Sequence, residues 1–265
     1  MTDIASPPSG STELAAIETN AKWIRGRLGD RTVIDTTDAL FVWEHRYYPQ
    51  WYVPVVDVAG ELRQTGEVTE TDNRGAAHTV DLVVADGDGG ETVIPDAGRI
   101  HPDSPVPELR NRVRFRWEAL DRWFEEDVEV FVHPRSPYTR VDVLPSTRHV
   151  VVRVDGPDEP VVVAESNRAS ILYETGLPPR YYLPPDDVHM DLLVPTETSS
   201  ACPYKGVARY WSVEVDGVDH PDVAWGYDEP LPESAGVQGL ICFYNERVDL
   251  TIDGEAVARP NTKFS

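Results

Sequence analysis

Pro49-Gln50-Trp51-Tyr52-Val53-Pro54 is matched 130 residues later by Pro179-Arg180-Tyr181-Tyr182-Leu183-Pro184. The same shift sets Phe41-Val42-Trp43-Glu44 on Ile171-Leu172-Tyr173-Glu174, Val33 on Val163 and Ala39 on Ala169. Asp57, Val58 and Leu62 then fall on Asp187, Val188 and Leu192. Matches this numerous without a gap mark an internal duplication. Beyond Leu62 the copies part, and a one-residue adjustment places Arg74-Gly75 on Lys205-Gly206. The first copy has Thr71, Asp72 and Asn73 where the second has Cys202, Pro203 and Tyr204. The organisation expected is a disordered Ser/Pro/Thr tail over 1–19, a degenerate N-terminal repeat over 20–145 and a C-terminal repeat over 146–260 that carries the full motif set.

Around these matches the chain is a series of short apolar runs broken by Gly and Pro. Trp23–Leu28, a partner beginning at Val33-Ile34, Phe41–Glu44, Val80–Val84, Thr92–Ile94 and Val128–Val132 read as strands of the first copy. Val150–Val154, Val161–Val163, Ile171–Tyr173, Val207–Val215, Val223–Tyr227, Leu240–Tyr244 and Val248–Ile252 read as strands of the second. Asp86-Gly87-Asp88-Gly89-Gly90 lacks the further oxygen ligands of a calcium loop and reads as a hairpin turn. Trp117, Leu120, Trp123 and Phe124 recur at helical spacing and predict one short helix. The fold class is therefore all-β: mainly antiparallel, in curled-sheet or barrel-like units with one or two short helices.

Charge removes whole classes of function. The chain has 46 acidic against 24 basic residues and a net charge of −22, which repels both a phosphate backbone and an anionic lipid surface. Arg110, Arg112, Arg114 and Arg116 alternate and would share one face of a strand, but Glu118, Asp121, Glu125, Glu126 and Asp127 are at hand to neutralise them. Neither nucleic acid nor membrane is expected as a partner. Cys202 and Cys242 are too few for a disulfide framework and lack the paired spacing of a zinc site, and the seven histidines form no HxH or HxxxH pair. No metal or cofactor is expected, and a reducing cytoplasm suits the composition.

The densest chemistry lies between Pro179 and Gly206. Arg180 offers a planar fork for a carboxylate or phosphate, and Lys205 stands before Gly206 in a turn whose amides can also face an anion; the alternative is that both pair with local carboxylates such as Asp186, Asp187 or Glu174. Cys202, three residues from Lys205, is a candidate nucleophile, because a neighbouring ammonium favours the thiolate; the competing and favoured reading is a small buried residue entering a strand. Tyr181, Tyr182, Tyr204, Tyr210, Trp225, Tyr227 and Tyr244 are candidate walls for a planar or cationic ligand. Asp186 and Asp187 are adjacent and face opposite ways on an extended segment; Asp187 also has a counterpart in Asp57, which suits a turn or cap. Cys242, between Ile241 and Phe243, reads as core.

Arg-Tyr-Tyr-x-Pro at Arg180–Pro184, Cys-Pro-Tyr-Lys-Gly at Cys202–Gly206, Trp-Gly-Tyr at Trp225–Tyr227, Pro-Leu-Pro-Glu at Pro230–Glu233 and Phe-Tyr at Phe243–Tyr244 together resemble the domain of unknown function 427 family. The resemblance is strong over Arg148–Val257 and weaker over Trp23–Leu144, and the family is sometimes labelled nucleotidyltransferase-like. The Gly-Ser followed by Asp-x-Asp arrangement that such chemistry uses has no counterpart after Gly10-Ser11. What the resemblance implies is a small β-rich fold with a ligand pocket and no established chemistry. The functional expectation is a small anionic or aromatic molecule bound in the C-terminal repeat. An enzyme using Cys202 or Lys205 as nucleophile and a protein-interaction scaffold are the alternatives.

Overall fold

The computed structural model describes residues 16–262 apart from Arg46, Asp72 and Asp88. Its contacts divide the chain into two compact units, 1–138 and 139–265. In the first unit the strands are β1 (Ala16–Thr19), β2 (Ile24–Leu28), β3 (Arg31–Thr36), β4 (Leu40–Trp43), β5 (Gln50–Pro54), β6 (Glu61–Thr69), β7 (Ala77–Ala85), β8 (Glu91–Ile100), β9 (Arg112–Phe115), β10 (Arg122–Glu125) and β11 (Val128–Val130). In the second they are β12 (Val141–Pro145), β13 (Val150–Val154), β14 (Val161–Ser166), β15 (Ser170–Glu174), β16 (Arg180–Leu183), β17 (Leu193–Cys202), β18 (Gly206–Val215), β19 (Val218–Gly226), β20 (Ile241–Phe243), β21 (Asp249–Ile252) and β22 (Glu255–Val257).

The duplication is complete at the level of topology. Each unit has a seven-stranded antiparallel sheet, ordered β1-β4-β5-β9-β8-β7-β6 in the first and β12-β15-β16-β20-β19-β18-β17 in the second. Each also has a four-stranded sheet, β3-β2-β10-β11 and β14-β13-β21-β22. The units are open sheets; neither closes into a barrel. Val53, Val80, Leu82, Val113 and Phe115 of the larger sheet pack with Ile24, Ile34 and Trp123 of the smaller in the first core. Leu183, Trp211, Val213, Ala224, Ile241 and Phe243 do the same against Val150, Val152, Leu250 and Ile252 in the second. Because side chains alternate along a strand, every seven-stranded sheet also has an outer face. Leu40, Val42 and Tyr52 cluster there in the first unit, and Leu172, Tyr182, Trp225 and Cys242 in the second.

Three features correct the sequence reading. Ala16–Thr19, placed in a disordered tail, is an edge strand on β4; residues 1–15 of that tail lie outside the described residues. Its counterpart Val141–Pro145, placed in the first repeat, pairs with β15 of the second. The helix expected over Trp117–Phe124 is one 3-10 turn, Trp117–Ala119, followed by β10. The apolar spacing there is real, but Trp117, Leu120 and Trp123 reach the same core from a turn and a strand. All six short helices among the described residues are of the 3-10 type, and no helix is long and apolar enough to cross a membrane.

Each unit repeats one further device. The β7–β8 and β18–β19 pairings slip in register beside Pro95-Asp96 and Pro221-Asp222, whose aspartates have φ of 48° in both copies. Left-handed backbone is several-fold commoner for Asp than for most residues, and in both copies an Asp takes it at the register shift. The repeated turns are anchored alike as well: Thr36 Oγ1 donates to Asp57 at 2.6 Å, and Ser166 Oγ donates to Asp187 at 2.6 Å. Asp187 is thus a structural cap, further held by Arg168.

Candidate functional site

Sheet register brings most of the sequence-predicted residues to the outer face of the second unit. On β16, Arg180 and Tyr182 point outward and Tyr181 points the other way, onto the core between the sheets. Tyr181 is therefore removed from the group. Tyr182 is fully buried and its hydroxyl accepts a 3.2 Å bond from Trp225 Nε1. Tyr210 shares its hydroxyl between Ser200 at 2.7 Å and Tyr244 at 3.3 Å, and the Trp225 and Tyr244 rings lie 4.3 Å apart. Tyr204 and Tyr227 are buried too, and the Tyr204 carbonyl accepts a bond from the hydroxyl of Ser234. Burial pushes the Tyr182, Tyr227 and Tyr244 hydroxyls well above the usual phenol range, and the Cys242 thiol up to about 12. These rings pack on one another.

The charges of this face are also satisfied internally. Arg180 donates two 2.7 Å bonds to the two oxygens of Glu246, and both side chains are buried. Lys205 pairs with Glu174; burial opposes its charge, but Cys202 and Glu174 beside it outweigh burial and hold its pKa above the ordinary value. Cys202 is half-buried at the end of β17. Gly206 has φ of 99°, like Gly75 at 77°, so both copies use glycine where the chain turns left-handed into β7 or β18.

The same face of the first unit has different chemistry at equivalent register. Arg99 pairs with Arg114 across β8–β9, as Trp225 pairs with Cys242 across β19–β20. His101 stands two residues after Arg99, as Tyr227 stands after Trp225. Arg74 takes the place of Lys205, Glu44 that of Glu174, and Tyr52 that of Tyr182. Where the second unit has packed rings, Glu44, Tyr52, Arg74, Arg99, His101 and Arg114 line a cavity of about 210 Å³. Tyr52 donates a 2.8 Å bond to Glu44, and its hydroxyl lies 3.5 Å from His101 Nε2.

Three cations and one carboxylate line this space. Arg99 is held by Asp96, the bulge aspartate, whereas Arg114 reaches Glu44 at 3.7 Å through an oxygen that Tyr52 also uses. Arg74 Nε, Arg114 Nε and His101 Nδ1 are buried without a hydrogen-bond partner among the described residues. Buried donors left unpaired are costly, and the two guanidinium nitrogens border one cavity; His101 Nδ1 donates or accepts according to tautomer, and its ring also meets the backbone of Gly75 and Ala76. None of Arg74, Arg99, His101 and Arg114 was a site candidate from sequence, although Arg74 had been aligned with Lys205. Of the alternating arginines, Arg112, Arg114 and Arg116 pair with Asp38, Glu44 and Asp96, not with the acidic residues that follow them, and Arg110 donates to the carbonyl of Ser104.

His101 makes the site pH-sensitive. Burial and then the charge of Arg74 lower its pKa, Glu44 opposing, so it is neutral at pH 7. The unfolded chain takes up a proton below about pH 6.5 that folded His101 resists, so its contribution to stability is present above that pH and lost as pH falls. An anion placed in the cavity would favour the imidazolium, so any affinity for one would rise as pH falls. Titrations with one small anion at pH 7.5 and 5.5 are expected to show tighter binding at the lower value, and His101→Gln is expected to flatten the difference.

The chain matches the profile of the family described as "Domain of unknown function (DUF427)" over residues 16–126 and 142–254, one match in each unit. It belongs to that family, as a tandem pair of its domains. No curated protein matches the chain.

Proposed function

We propose that this tandem member of the DUF427 family is a binding protein for a small anionic molecule, and that the first repeat holds it. The observation that carries the reading is the cavity lined by Arg74, Arg99, Arg114 and buried His101 in a chain of net charge −22. Local positive charge in an acidic protein is selective for a ligand small enough to enter the cavity, because larger polyanions meet the surrounding field first. About 210 Å³ lies below the roughly 300–1,000 Å³ of drug-sized ligand sites, which suits a short carboxylate or a small phosphate. In the second repeat, Arg180 and Lys205 spend their charge on Glu246 and Glu174, which favours a structural role for those residues. Two unpaired thiols fit a reducing compartment.

The test is calorimetric titration of the full chain with acetate, caproate, succinate, phosphate and sulfate, repeated for Arg74→Gln. One or more of these anions is expected to bind, with affinity about tenfold or more weaker in the variant, since a charge-assisted bond contributes roughly 1.5–3 kcal/mol. Circular dichroism of the variant checks that it is folded. Absence of binding across the series, or unchanged affinity in a folded variant, would overturn the proposal.

A further inference from the structure

The two repeats differ at one more pair of equivalent positions. In the second, the Arg180 guanidinium sits on Glu246 and lies 5.5 Å from the Trp225 ring centroid and 5.8 Å from that of Tyr244. The first repeat has Gln50 at the place of Arg180, opposite Val42 as Arg180 is opposite Leu172. It has Glu118 at the place of Glu246. The backbone establishes this second equivalence: Arg116 N–H donates to Ala97 and Tyr244 N–H to Val223, and Ala119 and Arg247 N–H groups return to Arg116 and Tyr244.

Among the described residues no arginine forms an ion pair with Glu118 as Arg180 does with Glu246. A cavity of about 300 Å³ is lined by Gln50 and Glu118 together with Tyr48, Arg116, Trp117 and His133, whose ring stacks on Tyr48, and it shares Arg114 with the anion cavity. Glu118 forms no ion pair with any described residue. Arg116 is engaged by Asp96 at 3.5 Å and by the carbonyls of Pro95 and Asp96.

Resting on the anion reading above, we infer that the first repeat binds a linear zwitterion, an ω-amino or ω-guanidino carboxylic acid. Its carboxylate lies with Arg74 and Arg114 beside Tyr52, and its cation lies with Glu118 beside Gln50 and Trp117. The cation occupies the place that the second repeat fills with its own arginine. Gln50 and Tyr52 are alternate residues on one face of β5, about 7 Å apart along the strand, which sets the separation of the two charges. An α-amino acid, with both charges on one carbon, is too short to reach both. A dicarboxylate of the right length would bring its second charge against Glu118, and like charges at short range repel.

The experiment is calorimetric titration of the full chain with ε-aminocaproate, γ-guanidinobutyrate and caproate, in the wild type, Glu118→Gln and Gln50→Arg. At least one zwitterion is expected to bind about tenfold or more tightly than caproate. In both variants the ratio of the two dissociation constants is expected to fall to within about twofold, Gln50→Arg placing on Glu118 the guanidinium that the second repeat already carries. Glu118 is exposed, so its variant keeps the fold even if the other does not. Caproate binding as tightly as both zwitterions would overturn this inference and leave the anion proposal standing. A zwitterion preference that survives Glu118→Gln would also overturn it. No binding of any of the three, together with no anion binding in the series above, would overturn both.

Discussion

Glu246→Gln is expected to destabilise the second repeat by about 3–5 kcal/mol, the usual cost of leaving one member of a buried ion pair uncompensated. The side chains of Arg180 and Glu246 are 8% and 0% exposed, so water cannot replace the lost charge. Glutamine keeps the shape and can accept one bond, yet Glu246 Oε1 also accepts a 2.6 Å bond from Thr262, so the carboxylate organises the chain end as well. Burial raises the Glu246 pKa, and bonds from Arg180 and Thr262 more than reverse this; the carboxyl sits below its ordinary value. A depressed carboxyl contributes stability above the unfolded pKa that is lost as pH falls through the folded one, and the variant should lose this acid limb of the pH profile. Urea unfolding with hydrogen exchange read on peptides from 139–265 measures the effect. The double variant Arg180→Met, Glu246→Leu is expected to regain most of the loss, because an apolar pair of similar volume does not need a counter-charge. A loss under about 1 kcal/mol in Glu246→Gln would mean that the pair is solvated.

Trp225→Ala is expected to cost about 3–5 kcal/mol, while Arg99→Ala, at the same register in the other repeat, is expected to cost less than about 1 kcal/mol. Trp225 is 6% exposed, meets Tyr182 and Tyr244 ring to ring and donates to the Tyr182 hydroxyl. Its removal leaves a cavity and an unpaired tyrosine. Arg99 holds a half-exposed pair with Asp96 beside a space that already exists. Equal losses in the two variants would contradict the view that one outer face is packed core and the other an open site.

The fold was legible because the duplication preserves apolar identity where strands pair. Phe41–Trp43 and Ile171–Tyr173 become β4 and β15, and the Pro-x-x-x-x-Pro segments become β5 and β16, with Tyr52 and Tyr182 buried at the same point. The edge strands Ala16–Thr19 and Val141–Pro145 share no such identity, and only pairing to β4 and β15 reveals them as equivalents. At Lys205 the pairing with Glu174 was legible as one of two readings, whereas the partner of Arg180 was not. Glu246 lies 66 residues from Arg180, and nothing local announces that the two will meet in the interior.

The first repeat's cavity was illegible for a related reason. The ungapped match ends at Leu62, since the loops after it differ in length, so Arg99, His101 and Arg114 could not be set against Trp225, Tyr227 and Cys242. Strand register supplies that alignment. The copy with the fuller set of recognisable motifs is thus the copy whose motif residues pack on each other. The copy that departs from the motif at Arg74 is the one with open, cationic space.

The most direct measurement is a crystal structure of the full chain soaked with ω-bromocaproate, with the bromine located by anomalous scattering. The expected result is a peak in the first repeat, in the space bordered by Arg114, Tyr52 and Gln50, with the carboxylate on Arg74 and Arg114. A peak beside Lys205 or Arg180 in the second repeat, or none in either at saturating concentration, would contradict it.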